Sequence, residues 1–289
     1  MLEDHGRTGA ETSCLTRHHA DRPAPRSVVA AAGVQTVMLL HGSAATGALW
    51  RHTVGAMEPL YHAVAPDLIG YGKPAALPAA AAFDLDVEVG ALAPLLPCCG
   101  AKIHLVGHSY GGVVALHLAL ANPARVRTLT LIEPVFFAAL RYAGELAAYD
   151  RFRRLRDAFT SMLARDRAAA MQLFMDFWAG GGAWEKLAAP QRSRMLAVAG
   201  KIVLDWHASF AADPGPDALA VLAPRTALMR GDSSPEPMRR LVDALHELMP
   251  GSTREVVPGA NHLLPVTHAP AMTSSILSRL RADAERRLR

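Results

Sequence analysis

The sequence predicts an α/β fold: a mostly parallel central sheet flanked by helices, with a helical insertion in the middle of the chain. Three observations lead there. Short apolar runs of strand length alternate with helix-length segments, the pattern of a parallel sheet covered on both faces. Turn-rich loops follow the ends of those runs, and open sheets of this kind hold ligands beyond the carboxyl ends of their strands. At one such end, within residues 102–112, an apolar strand turns abruptly into a helix through Gly107-His108-Ser109-Tyr110-Gly111.

Taken in order, residues 1–26 are polar and aperiodic, with scattered Arg, His and Pro. They are expected to form a disordered or loosely attached tail. Ordered structure is expected from Ser27 onward. Residues 34–40 read as a compact apolar strand running into His41-Gly42-Ser43, with Trp50 on the helix that follows. Residues 63–66 give a second strand, which ends in the turn-rich Asp67-Leu68-Ile69-Gly70-Tyr71-Gly72-Lys73-Pro74. A helix over 85–96 precedes the strand at the abrupt turn, and a strand over 127–132 stops at Glu133-Pro134.

From 135 to 217 the character changes to arginine- and alanine-rich helical segments punctuated by Gly180-Gly181-Gly182 and Asp213-Pro214-Gly215-Pro216. The expected organisation is a body of residues 27–134 and 218–289 interrupted by a helical cap of residues 135–217. Among the cap's aromatic residues, Phe137, Phe177 and Trp178 are candidates for the apolar wall of a substrate pocket. Burial in the cap's own core is an equal alternative for each. The sheet resumes over 226–230, and a helix follows over 238–248. The last strand, 254–257, leads into Pro258-Gly259-Ala260-Asn261-His262, and a closing helix starts near Pro270.

Composition narrows the function classes. The 289 residues are 51% hydrophobic and 19% charged, enough to bury a large core. The net charge of +4 comes largely from dispersed arginines. Their densest group, Arg279, Arg281, Arg286, Arg287 and Arg289, is interrupted by acidic residues and reads as a solvated helix face, so no nucleic-acid partner is expected. Cys98 and Cys99 are adjacent and Cys14 lies in the tail, which excludes a disulfide framework and suits a reducing compartment. No secretory signal and no run of membrane-spanning length is visible, so a cytoplasmic location without a membrane partner is expected. The oligomeric state is left open.

The chemistry starts at Ser109. G-x-S-x-G holds a serine on a strained strand-to-helix turn with its hydroxyl exposed above the sheet. A Cβ at 107 or 111 would collide with a neighbouring strand or helix. A serine hydroxyl attacks only when a base takes its proton, so a histidine must lie within hydrogen-bond reach.

Together, His41-Gly42, the loop from Asp67 to Gly72, the Ser109 turn and the late Gly259-x-x-His262 resemble the α/β-hydrolase family, from about residue 34 onward. The resemblance implies Ser109 as nucleophile and, of thirteen histidines, His262 as base, with His268 in reserve. It implies an oxyanion hole from the backbone N–H groups of Ser43 and Tyr110, with structural roles for His41 and His108. The acid departs from the commonest family pattern. Three residues beyond Gly231 stands Ser234, which is no carboxylate, and Asp232 comes two positions early. Glu133 is the better candidate, in a placement similar to that of some haloalkane dehalogenases; Asp232 is the alternative acid, and a mere salt bridge under the cap is the alternative role for Glu133. The expected function is hydrolysis of a small apolar ester or related acyl substrate through an acyl-enzyme, with no metal or organic cofactor. Cleavage of a C–C bond, a lactone or an amide by the same residues is one alternative, and a non-catalytic binding protein on this fold is another. The family's aspartate nucleophile for epoxides and halides is absent.

Overall fold

The computed structural model describes residues 34–58, 60–72, 82–96, 102–222 and 225–287. The expected tail, the start of order at Ser27, all three cysteines and the loop from Lys73 lie outside the described residues.

Among the described residues, six strands form one sheet: β1 (Gln35–Leu40), β2 (Tyr61–Val64), β3 (Ile103–His108), β4 (Val126–Ile132), β5 (Thr226–Gly231) and β6 (Thr253–Val257). Their order is β2-β1-β3-β4-β5-β6, and every ladder is parallel. The helices are α1 (Arg51–Met57), α2 (Leu85–Leu92), α3 (Tyr110–Ala121), α4 (Ala138–Tyr142), α5 (Leu146–Leu163), α6 (Arg167–Ala179), α7 (Ala189–Ala211), α8 (Pro216–Leu222), α9 (Glu236–Leu248), α10 (Leu264–Thr267) and α11 (Ala269–Arg286). Between β4 and β5 the described residues contain helices and no strand.

Alternating residues explain how the sheet is covered. In β1, Val37 and Leu39 face a cluster with Trp50, Met57, Met272, Ile276 and Leu280, from the α1 and α11 side. Met38 and Leu40 face the opposite cluster, with Val113, Leu116, Leu241 and Leu245 of α3 and α9. A strand buried on both faces needs apolar side chains at successive positions, which is why 37–40 is an unbroken apolar run. The second cluster continues into Phe137, Phe152, Phe159, Trp178 and Trp206, so the helical segment and the body share one apolar core.

Several boundaries differ from expectation, and three of the differences have a visible cause or consequence. β2 lies over Tyr61–Val64 because its ladder to β1 pairs Gln35 with Tyr61 and Met38 with Val64. The helix expected to reach Leu96 ends at Leu92 and tightens into a 3-10 turn over Ala93–Leu95, where Pro94 has no N–H to continue an α-helix. Trp50 closes a 3-10 turn, Gly47–Trp50, that leads into α1.

The chain lays β2 on one side of β1 and β3 on the other, so the strand order reverses between β1 and β3. A crevice opens at such a switch point, beyond the carboxyl ends. The segments that follow those two ends begin with His41 and Ser109.

Candidate active site

Ser109 sits between β3 and α3 with φ 55°, a left-handed conformation costly for any side-chain-bearing residue. The surroundings enforce it. Its N–H donates to Ile132 O at 3.0 Å, and its carbonyl accepts from Gly112 N at 3.0 Å and Val135 N at 3.3 Å. The flanking glycines are required by contact: a Cβ on Gly107 would lie 2.3 Å from Gly111 O, and one on Gly111 would lie 2.4 Å from His41 O.

Three side chains from three strand ends meet here. His262 Nε2 lies 3.0 Å from Ser109 Oγ, so it can accept the hydroxyl proton. His262 Nδ1 lies 2.7 Å from Glu133 Oε2, so the carboxylate accepts the imidazole N–H. Glu133 is fully buried and, at φ 44°, also left-handed; its N–H donates to Met229 O at 2.9 Å. Its second oxygen accepts from Gly231 N at 2.8 Å and from the Ser234 hydroxyl. Two further rings fix the imidazole: His108 Nε2 donates to His262 O at 2.9 Å, and the Trp178 ring stacks on it with centroids 4.1 Å apart. Burial pushes the His108 imidazole well below the usual range, with the neighbouring His262 adding to the effect.

The loop after β1 approaches Ser109 closely, since a Cβ on Gly42 would lie 2.9 Å from Ser109 Cβ. This brings Ser43 to the site, and Ser43 and Ser109 line one cavity of about 20 Å³ with Val135, Phe174, Trp178, Asp205, Trp206 and Ser209. Tyr110 opens α3, where backbone N–H groups have no intrahelical partner. His41 braces the loop: its Nδ1 donates to Gly42 O at 2.8 Å and its Nε2 accepts from Leu68 N at 3.0 Å. Burial holds its pKa down at about 4, so it stays neutral and keeps both bonds at neutral pH.

The structure thus brings together Ser109, His262, Glu133, Ser43, Tyr110 and Trp178. It does not bring Asp232, which is exposed and accepts from Gly259 N at 2.7 Å and from the Ser233 hydroxyl. His268 bonds the Thr267 hydroxyl beside it. Phe137 and Phe177 do not line the cavity. Phe137 is fully buried against Phe152, Trp206 and Phe210, and Phe177 packs edge-on against Phe152 and Trp178, so both belong to the aromatic core behind the cavity wall. Ser234 shows what became of the usual acid position: its hydroxyl donates to the carboxylate that arrives from β4 instead. Sequence reasoning also missed a buried polar group behind Ser43, made of Asp205, Lys201 and Glu88. A wider groove of about 260 Å³, lined by residues including Leu116, Phe136 and Ala212, touches none of Ser109, His262 and Glu133. No helix among the described residues is long and apolar enough to cross a membrane.

A parallel sheet with a serine, histidine and carboxylate at its strand ends defines a hydrolase class, and the comparisons agree. Residues 37–273 match the model of the alpha/beta hydrolase family, and the chain belongs to that family of enzymes. Among its relatives, a pimeloyl-[acyl-carrier protein] methyl ester esterase of Vibrio campbellii is 29% identical over 82% of this chain and 89% of its own. Lipase LipV of Mycobacterium tuberculosis is 41% identical, but the match spans 35% of this chain and 38% of the lipase. A hydrolase from Pseudomonas aeruginosa shares the fold with a TM-score of 0.68 at 20% identity, over 86% of this chain and 91% of that one.

Proposed function

We propose that this enzyme hydrolyses carboxylic esters of small, largely apolar molecules through an acyl-enzyme on Ser109. The observation that carries this is the hydrogen-bonded series Ser109–His262–Glu133 on a strained turn. Ser109 Oγ attacks the ester carbonyl while His262 Nε2 takes its proton; Glu133 holds the Nδ1–H and balances the imidazolium. The carbonyl oxygen becomes an anion that the N–H groups of Ser43 and Tyr110 receive, an interaction worth several kcal/mol of barrier. His262 then hands its proton to the departing alcohol. Water, deprotonated by the same imidazole, attacks the acyl carbon and releases the acid.

Relatives named as esterase and lipase support this reaction, and the aromatic walls Phe174, Trp178 and Trp206 support apolar substrates. The helical segment over the site acts as a cap in this reading. A cavity of about 20 Å³ holds little more than a water, so the cap helices must shift to admit an ester.

The test uses p-nitrophenyl esters of increasing acyl length. Turnover is expected from the wild type, a mass increment on Ser109 with a fluorophosphonate, and neither from Ser109→Ala with an unchanged melting curve. Near-wild-type turnover by the alanine variant would remove Ser109 from the role.

A further inference from the structure

The reaction above leaves unused a set of buried ionisable side chains. Lys201, on α7, is fully buried and pairs with Asp205 one turn further on and with Glu88 of α2 at 3.3 Å. Its ammonium also faces the rings of Phe83, Tyr110 and Tyr71 at 4.2, 4.8 and 5.0 Å. Burial pushes both carboxyls above their usual range. Burying ions is expensive, and apolar residues of similar volume often serve stability as well or better. Such a cluster invites the question of which geometry it specifies.

Its outward bonds answer that. Asp205 Oδ2 accepts from Ser43 Oγ at 2.5 Å and from the Tyr71 hydroxyl. Glu88 Oε2 accepts from the Tyr110 hydroxyl at 3.2 Å, and its Oε1 from Ile69 N at 2.7 Å. Ser43 and Tyr110 are the two residues whose backbone N–H groups receive the oxyanion in the proposed reaction. Each has its side chain tied to one carboxylate, and Lys201 joins the two carboxylates.

We propose that Asp205, Lys201 and Glu88 are positioning residues that cross-brace the two halves of the oxyanion hole, and that the hole is aligned only when α7 is seated on the body. The proposal rests on the ester-hydrolase reading. Asp205 and Lys201 come from the helical segment, whereas Glu88, Ser43 and Tyr110 belong to the body, so cap closure and oxyanion alignment become one event. An open cap admits substrate to a poorly aligned hole; closure supplies the alignment.

The experiment compares Ser43→Ala, Asp205→Ala and the double variant. Ser43→Ala keeps the backbone donor and removes only the link. Each single variant should lower kcat about 10- to 100-fold, with KM within about threefold, because the donor is misplaced and not deleted. An arylboronic acid, whose tetrahedral adduct carries an oxygen in the hole, should bind more weakly by a similar factor. The double variant should be no slower than the slower single one, since both remove the same link. Single effects that multiply, or a lower melting temperature with kcat unchanged, would overturn the brace. Fluorophosphonate labelling of Ser109 that still goes to completion in Ser43→Ala, but more slowly than in wild type because the phosphonyl oxygen also enters the hole, shows that the serine remains reactive and assigns the lost turnover to the hole; an unchanged labelling rate would overturn the brace. A wild type that neither labels nor turns over would overturn the hydrolase reading and the brace with it.

Discussion

Glu133→Gln tests the proposed role of Glu133 as the acid that orients His262. Glu133 accepts three hydrogen bonds, from His262 Nδ1 at 2.7 Å, Gly231 N at 2.8 Å and the Ser234 hydroxyl. Glutamine has the same shape, and its amide oxygen can satisfy Gly231 and Ser234. Its NH2 group then faces His262 Nδ1 and requires an acceptor there. The imidazole must move its proton to Nε2, the atom 3.0 Å from Ser109 Oγ, and can no longer receive the serine proton. A wrong tautomer together with an unbalanced imidazolium lowers kcat by about 10⁴-fold, or about 5.5 kcal/mol of barrier. Most of the packing survives, so the melting temperature should move little. Initial rates on p-nitrophenyl butyrate and thermal melts measure both, with Asp232→Asn as the control. Asp232 is exposed and does not touch His262; it accepts from the adjacent Ser233 hydroxyl and from Gly259 N in the loop after β6, so its loss should be below about tenfold. Turnover within tenfold of wild type for Glu133→Gln, or an equal fall for Asp232→Asn, would refute the assignment.

Three other perturbations test other parts of the molecule. Trp178→Ala removes the ring stacked on His262 and a wall of the cavity, so it should reorder acyl-length preference and lower kcat; an unchanged ranking would put the substrate elsewhere. Lys201→Met leaves two buried carboxylates without their cation and should cost about 3–5 kcal/mol by urea unfolding, whereas a loss under about 1 kcal/mol would show the pair contributes little. His41 and His104 are fully buried, with burial holding both pKa values down at about 4, below the 6.5 of the unfolded chain. The unfolded state therefore binds more protons between these values, so this stability is fully present above about pH 6.5 and is lost as pH falls through about 4, by up to about 3 kcal/mol per histidine. A urea midpoint that stays flat from pH 7 to 4.5 would contradict it.

Much of this was legible in the sequence, and the unread part has physical reasons. Ser109, His262 and Glu133 could be read because the resemblance to the α/β-hydrolase family implied their roles and because each follows a strand or its turn, where apolar runs are broken by Gly or Pro. The Phe137 and Phe177 rings could not be sorted from Trp178, since helical spacing gives a face but not what that face meets. Lys201 and Asp205 look like an ordinary surface pair one turn apart, and only the packing of α7 over Tyr71, Phe83 and Tyr110 turns them into a buried one. Ser234 was visible as the place where an aspartate was missing; that its hydroxyl serves the substitute acid required knowing that β4 and β5 are neighbours.

The apolar core that runs without a break from the sheet into α5, α6 and α7 bears on how this enzyme can be re-engineered. Exchanging residues 135–217 for another relative's segment looks attractive, because both ends of the segment are in the body. Yet α4 and α5 pack directly on α9, which lies outside that segment and whose Leu241 and Leu245 belong to the shared core. A foreign segment would meet an α9 surface shaped for α4 and α5, and would strip Ser43 of the carboxylate that holds it. A workable graft must carry the facing side of α9 and a matched pair for Ser43 and Glu88, so the smallest transferable unit is larger than the loop-to-loop insertion.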